Sequence, residues 1–489
     1  MFLSFVYGPK SDCFLGKLNS VITSVGVEQG NQPSRQLLIE QAGRVIAKAG
    51  IDEVRLREVA DQVDVPLAEA QELFASEAEL VKETKRTLNE ALTSLVDLHL
   101  QRLPENATAV DKLRATALAY FSFAVEDPSA FAAFSAVHAT PRVGVTAEDF
   151  VNPDGDVEKC PIMQILFELT EEAIKESGGV DPDVDGTLLS ALSIFSHLHG
   201  VTQLAAEGIL RYLSPAAKKQ TFGAVMDTLS VGLYPFFRGE RVERTIPYGL
   251  VGEQPEALVA KAKDYPRGTE DEQRTALLRG AIEEALDHGV TGLHIGGAAK
   301  RAGLSVQEAE HLIESDQELA SFLERYLDKV NYEFIFRQVA ALPEDAKVMS
   351  KIKATGYGYV SHALADPKGF EALIKIASGP IVPMSFEDDF LPNANKAVEL
   401  QRDFSEFGRA FGFIMSLMRE AIDEVDGPRT PWVLFTLVIS VWAGAHGLAM
   451  LSTKGPLRGF DSDYIFEILT HYMDIEFGGI MRSLSGTTD

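Results

Sequence analysis

The chain has 489 residues, 46% of them hydrophobic and 24% charged, enough apolar material for two or more packed domains and too much for a disordered chain. Its formal charge of −27 argues against binding to DNA or to anionic membranes unless the fold gathers a basic patch, because no run of basic residues occurs in the sequence. Two cysteines, Cys13 and Cys160, exclude a disulfide framework, have no metal-ligand spacing, and fit a reducing, cytosolic setting.

In chain order, residues 1–33 form an extension that is mildly apolar but broken by Pro9, Lys10 and Asp12, without the basic start and cleavage site of a signal peptide. "SRQLLIEQAGRVIAKAG" follows, with Leu38, Ala42, Val45, Ile46 and Ala49 on a 3.6-residue stripe and Gly50 as its C-cap. "LREVADQV" is a second, short helix, and the segment after Pro66 is a third. Ser76-x-x-Glu79 is the pattern of a capping box opening a fourth. Further helices are expected at about 108–126, 129–138, 160–177, 185–210 and 214–237. Residues 239–273, with three prolines and mixed charge, read as a linker. No stretch alternates with period two, so the expected class is all-α.

The pattern then repeats. At an offset of 239, Gly50–Leu80 lies on Gly289–Leu319 without a gap, with Ala60/Ala299, Glu69/Glu308, Leu73/Leu312, Ser76/Ser315 and Glu79/Glu318 coinciding. The same offset puts "LPENATAVDKLRAT" on "LPEDAKVMSKIKAT" and "YFSFAVEDPSAFAAF" on "YVSHALADPKGFEAL"; further on, His199-Gly200 matches His446-Gly447. A register held this long indicates tandem duplication of a unit of roughly 210–240 residues. It also bears on "PWVLFTLVISVWAGAHGLAML" (431–451), which is long enough to span a bilayer. The first-copy counterpart, "LLSALSIFSHLHGVTQLAA", carries serines and histidines, so a buried core helix is expected in both copies and no membrane partner.

Three helices with a tight turn between the second and third, then a long fourth, resemble the N-terminal domain of the TetR/AcrR transcriptional regulators. The resemblance rests on Ala42, Gly50, Leu56, Val59, Ala60, Val65, Phe74, Ser76 and Leu80 in the first copy. In the second it rests on Ala281, Gly289, Ile295, Ala298, Ala299, Gly303, Leu304, Ser305, Ser315 and Leu319. "VWAGAHGLAML" is similar to the Trp-x-x-x-His-Gly helix of many members. The resemblance implies a helix-turn-helix head at 34–82 on a helical body at 83–238, and a second head at 274–321 on a body at 322–489. It also implies bodies that pair through a four-helix bundle made by their last two helices. Here the two copies are expected to pair within the chain as a pseudo-dimer, with operator DNA and a small apolar ligand as the implied partners.

The departures fall on DNA-facing positions. Where the family has Tyr-x-His-Phe followed by Ser-Lys-Glu, this chain has Gln71, Leu73 and Glu77 at the Tyr, His and Lys positions, and Glu310, Leu312 and Asp316 in the second copy. From Arg35 to Leu80 there are five basic and ten acidic residues, a net −5, whereas phosphate contact needs cations. Pro66 replaces the usual N-cap, which the second copy keeps as Ser305 with Glu308. The candidate DNA contacts are Arg55, Arg57, Gln71, Lys300 and Arg301, set against a reading of the basic ones as ordinary solvated charge.

For a ligand pocket the candidates are Phe121, Phe123, His197, His199, Tyr359, Trp442 and His446, set against plain core packing. "DPDVDG" (181–186) starts like a calcium loop, but Leu192 stands where a glutamate is needed, so no metal is expected. No nucleotide, nucleophile-elbow or zinc-hydrolase motif occurs; neither an enzyme nor a cofactor is expected. Two expectations remain open: a ligand-responsive regulator with weakened DNA binding, and a non-DNA-binding, acidic scaffold for a ligand or a basic protein partner.

Overall fold

The computed structural model describes residues 32–139, 160–179, 184–240, 269–289, 292–377 and 409–485. Nearly all of the N-terminal extension, Cys13, most of the linker and the start of the calcium-like turn lie outside these ranges. Among the described residues every regular element is helical and no strand occurs. They fall into two compact units: Met1–Leu103 with Leu118–His138 and Cys160–Ile162, and Pro104–Ala117 with Ala139–Lys159 and Met163–Asp489. The division does not follow the boundary between the sequence copies.

The first unit opens with α1 (Gln32–Ala49), α2 (Leu56–Gln62), α3 (Leu67–Leu73) and α4 (Glu77–Leu100). α1 buries Leu38, Ala42 and Ile46, the stripe visible in the sequence, and stops at Gly50 with φ of 94°. Leu56, Val59, Ala60, Val65, Ala70, Phe74 and Leu80 complete this small core, which Ala133 and Val137 of α6 (Pro128–Val137) close. Ser76 accepts a hydrogen bond from the Glu79 amide at 3.2 Å, but the Glu79 carboxylate accepts from Ala75 N–H rather than from Ser76. The expected capping box is therefore half formed: with Ser76 extended, the carboxylate reaches the amide one residue further out. The same offset recurs at Ser315, where Glu318 takes the Glu314 N–H at 2.8 Å.

α5 (Ala109–Glu126), α7 (Pro161–Glu176), α8 (Val184–Ala206) and α9 (Pro215–Phe237) complete the helices of the first copy. The second copy supplies α10 (Thr269–His288), α11 (Ile295–Ala302), α12 (Val306–Leu312), α13 (Asp316–Ala340) and α14 (Val348–Ala365). It ends with α15 (Pro367–Ala377), α16 (Arg409–Glu424), α17 (Pro431–Thr453) and α18 (Ser462–Ser485). α10 to α12 enclose Leu277, Ala281, Ala298, Ala299, Ala309 and Ile313, closed by Ala372, Leu373 and Ile376 of α15, the counterpart of α6.

Several local contacts recur at the offset seen in the sequence. Tyr120 meets Phe131 edge-on with ring centroids 5.4 Å apart, and Tyr359 meets Phe370 edge-on at 5.1 Å. Asp127 caps α6 and Asp366 caps α15, each through the amide three residues on. Arg114 pairs with Asp227 and Lys353 with Asp474, the bases 239 and the acids 247 positions apart.

Within the second unit, α8 and α9 pack on α17 and α18 as four helices. Small residues set the close approach. A Cβ on Gly200 would meet the Ala443 carbonyl oxygen at 1.7 Å, and one on Gly447 would meet that of Ser196 at 1.8 Å. Gly232 against Ile475 and Gly479 against Thr228 repeat the arrangement. Each contact has a reciprocal 247 positions away, the form of an isologous interface. α17 is the one described helix long and apolar enough to cross a membrane, and 83% of its most apolar window is buried inside the protein.

Candidate functional site

The exposed face of α3 carries Ala68, Gln71 and Glu72, with Glu69 half-buried beside them. α12 offers Gln307, Glu310 and His311. Glu308 is occupied locally: its carboxylate accepts from the Ser305 amide at 2.8 Å and the Ser305 hydroxyl at 2.7 Å, which holds it below the usual carboxylate range. This capping box forms in full, as its sequence indicated. From Arg274 to Leu319 there are four basic and eight acidic residues, a net −4, so both heads share the sign of the whole chain.

The charge-reversed positions have a structural role. Glu77 Oε1 accepts a long, 3.4 Å hydrogen bond from the amide of Leu56, the first residue of α2. Asp316 Oδ1 accepts from the amide of Ile295, the first residue of α11, at 2.7 Å. Free amides at a helix N-terminus attract anions, and in each head one of them is answered by a carboxylate of the chain itself. A phosphate approaching there meets a negative side chain.

The candidate cations differ in availability. Arg55 is exposed, with its guanidinium turned back onto the carbonyls of Asp52 (2.6 Å) and Val54 (3.1 Å). Arg57 and Lys300 are exposed on α2 and α11, and Gln71 on α3. Arg301 is engaged: Nε donates to Glu284 at 2.6 Å and Nη2 to Asp287 at 2.8 Å. The Glu284 carboxylate is 4% exposed and also faces His288 Nδ1 at 3.2 Å and His294 Nε2 at 3.3 Å. His294 Nδ1 accepts from the Gly297 amide, so its other nitrogen carries the proton toward Glu284. Gly297 leaves room for this carboxylate: a Cβ would lie 2.2 Å from Glu284 Oε1, so the Glu284 side chain would have to shift.

The ligand-pocket candidates are buried, except Trp442, which is half-buried. Phe121 is fully buried, and Phe123 meets Phe134 edge-on at 6.1 Å. In the second unit Tyr359 Oη lies 3.0 Å from His446 Nδ1, and Trp442 packs on Tyr359, His446 and Phe411. His197 Nδ1 meets Tyr472 Oη at 3.2 Å, and His199 lies against Phe195. Burial pushes His197 and His199 down to about 3 and His446 to about 4, keeping all three neutral. The same burial raises Tyr359 well out of the physiological range. A pocket of about 560 Å³ opens elsewhere, lined by Arg419, Ile422, Asp423, Arg429, Thr430 and Leu434; none of the sequence candidates lines it. Among the described residues no group of three His, Cys, Asp or Glu side chains is placed to hold a metal.

Sequence reasoning missed Glu77 and Asp316 as caps, Glu284 as a buried hub, and Glu476, which is fully buried in α18. The caps were open to discovery, because each acid stands 21 positions after the first residue of the helix it caps. No known protein-family model matches the chain. No curated protein is similar to it at a significant level.

Proposed function

We propose that the protein is a regulator of TetR/AcrR build, folded as a single-chain pseudo-dimer, whose two heads keep the helix-turn-helix packing but have given up most of its phosphate chemistry. The observation that carries this reading is the carboxylate at the first amide of the second helix in each head, Glu77 on Leu56 and Asp316 on Ile295. Phosphate contacts supply most non-specific affinity, and each needs a cation or a free amide. Here the amides face acids, Arg301 is held by Glu284 and Asp287, and both heads are net negative. Support for the pseudo-dimer comes from the reciprocal glycine contacts of α8 and α9 with α17 and α18.

A second reading is favoured by the exposed acids of α3 and α12: the heads serve as acidic surfaces for a basic protein partner. The experiment is retention of random-sequence and genomic DNA fragments by the purified full chain at low and moderate salt. No retention at low salt by a folded sample is the expected result and moves attention to basic partners. Salt-dependent retention of particular fragments would overturn the loss of DNA contact and make Arg55, Arg57 and Lys300 the first residues to replace.

A further inference from the structure

Residues 425–430 carry the chain from the end of α16 to Pro431 at the start of α17. Asp426 takes a positive φ of 52°, and the Gly427 amide donates to the Ile422 carbonyl at 2.9 Å, which folds the turn back against α16. Thr430 caps α17 by accepting from the Val433 amide at 3.2 Å. The pocket of about 560 Å³ lies at this junction, between Arg419, Ile422 and Asp423 of α16, Arg429 and Thr430 of the turn, and Leu434 of α17. That volume lies within the range of small-molecule sites, roughly 300–1,000 Å³.

The lining has an apolar floor and a cationic edge. Ile422 and Leu434 are buried. Two arginines stand against one aspartate, a net +1 in a chain of net −27. Asp423 and Asp426 hold only part of the Arg429 guanidinium: Nε donates to Asp423 at 2.7 Å and Nη2 faces Asp426 at 3.5 Å, while Nη1 bonds to no described group. A guanidinium fixed in this way keeps further N–H donors in a set direction. The N-terminal turn of α17, which supplies Leu434, adds a dipole that favours negative charge.

This edge belongs to the second copy alone. At an offset of 248, "LTEEAIKE" of α7 lies on "LMREAIDE" of α16, and the common glutamate keeps its lysine: Glu172 pairs with Lys112 and Glu420 with Lys351. Arg419, however, stands on Glu171 and Asp423 on Lys175, and the first-copy residues close on each other at 2.6 Å. Leu434 stands on Thr187, 247 positions earlier.

We propose that the α16–α17 pocket binds a small monocarboxylate with an apolar body, one per chain, its carboxylate on Arg429 and Arg419 and its body over Ile422 and Leu434. A planar carboxylate matches the edge of a guanidinium, a net +1 lining suits a single negative charge, and the apolar floor favours a ligand with a hydrocarbon part over a wholly polar anion. The proposal does not rest on the reading of the heads, and its test involves no DNA.

The test is calorimetric titration of the full chain with octanoate, 1-octanol and octylammonium, which share a tail and differ in charge. Octanoate is expected to bind once per chain, 1-octanol about tenfold or more weaker, and octylammonium not at all. Arg419→Met and Arg429→Met should each weaken octanoate by about tenfold or more. Asp423→Asn, whose side-chain oxygen can still accept from Arg429 Nε, should tighten it by removing the opposing charge. No octanoate binding at about 1 mM, two or more equal sites, equal affinity for 1-octanol, or weaker binding by Asp423→Asn would each overturn the proposal. Should Arg419→Met not fold, Arg429→Met in the exposed turn decides: a tenfold loss sustains the proposal and unchanged affinity overturns it.

Discussion

Four histidines buried as neutral rings make the second unit sensitive to acid. His197, His199 and His362 are lowered to about 3 and His446 to about 4, in each case by burial, against an ordinary value of 6.5. A folded-state value below the unfolded one means the stability is fully present above pH 6.5 and is lost as pH falls, because the unfolded chain binds the proton first. Each ring removes about 1.4 kcal/mol per pH unit, hence about 2 kcal/mol at pH 5 and roughly 8 kcal/mol for four. Glu476, raised to about 8 from 4.5, acts in the opposite direction: the folded state holds its proton longer, and over the same interval it returns about 2 kcal/mol. The net loss of roughly 6 kcal/mol is comparable to the whole stability of a typical domain, ~5–15 kcal/mol. Acid unfolding of the second unit is therefore expected near pH 5, with net uptake of about three protons. Urea titrations followed by circular dichroism between pH 7 and 5, with proton uptake from dye-monitored pH jumps, measure both quantities. Hydrogen exchange should show α8, α14, α17 and α18 losing protection together. Stability that stays flat from pH 6.5 to 5, or uptake below one proton, would refute the reasoning.

Replacing Glu77 and Asp316 by lysine changes the head charges by +4 in total and frees the first amides of α2 and α11. The double variant should retain random DNA at low salt at least about tenfold better than wild type, at a stability cost of about 1 kcal/mol per lost cap, and filter binding reads it. Gly447→Ala places a Cβ 1.8 Å from the Ser196 carbonyl oxygen, so a backbone clash of at least 2–3 kcal/mol outweighs the ~1 kcal/mol gained in helix propensity, whereas Gly223→Ala, with nothing within 4 Å, should gain that amount. Denaturant midpoints of the two variants should move in opposite directions. Lys353→Met abandons Asp474, whose side chain is 7% exposed, and should cost about 3 kcal/mol; Arg114→Met breaks the half-exposed pair with Asp227 and should cost under ~1 kcal/mol by the same urea assay.

Much of the fold was legible because local chemistry and tertiary packing agree. The stripe of Leu38, Ala42 and Ile46 is the buried face of α1, and Ser305 with Glu308 forms the box its spacing announced. Tyr120 with Phe131 and Tyr359 with Phe370 could be paired from the offset alone. What stayed hidden depends on partners far apart in sequence. Glu476 looks like an ordinary helix acid among apolar neighbours until α8 and α17 cover it. His197 and His199 sit two apart on α8, a spacing that says nothing about the first copy meeting the second. Arg301 reads as a free surface cation until α10 brings Glu284 and Asp287 within 3 Å of it. The sequence boundary between copies also failed to foretell the compact units, because α8 and α9 spend their apolar faces on α17 and α18.

The acids at positions 77 and 316 bear on how a head of this kind can lose one function without losing its shape. A helix that begins without a side-chain N-cap, as α2 does at Arg55, leaves amides that must find water or an acceptor. In a head that binds phosphate, the nucleic acid can supply that acceptor. Where it does not, selection for stability favours an acceptor from within the chain, and the residue opening the fourth helix is close enough to provide one. Its carboxylate adds cap strength and, by the same contact, repels phosphate. The two carboxylates reach their amides unequally. Asp316 holds Ile295 N–H at 2.7 Å, alongside the Glu284–Arg301 lock, while Glu77 reaches Leu56 N–H only at 3.4 Å and Arg55 and Arg57 remain exposed. If any phosphate contact persists, it falls to the first head. Reversal of Glu77 alone should then restore more DNA retention than reversal of Asp316 alone; equal restoration by the two would break the link between cap strength and lost contact.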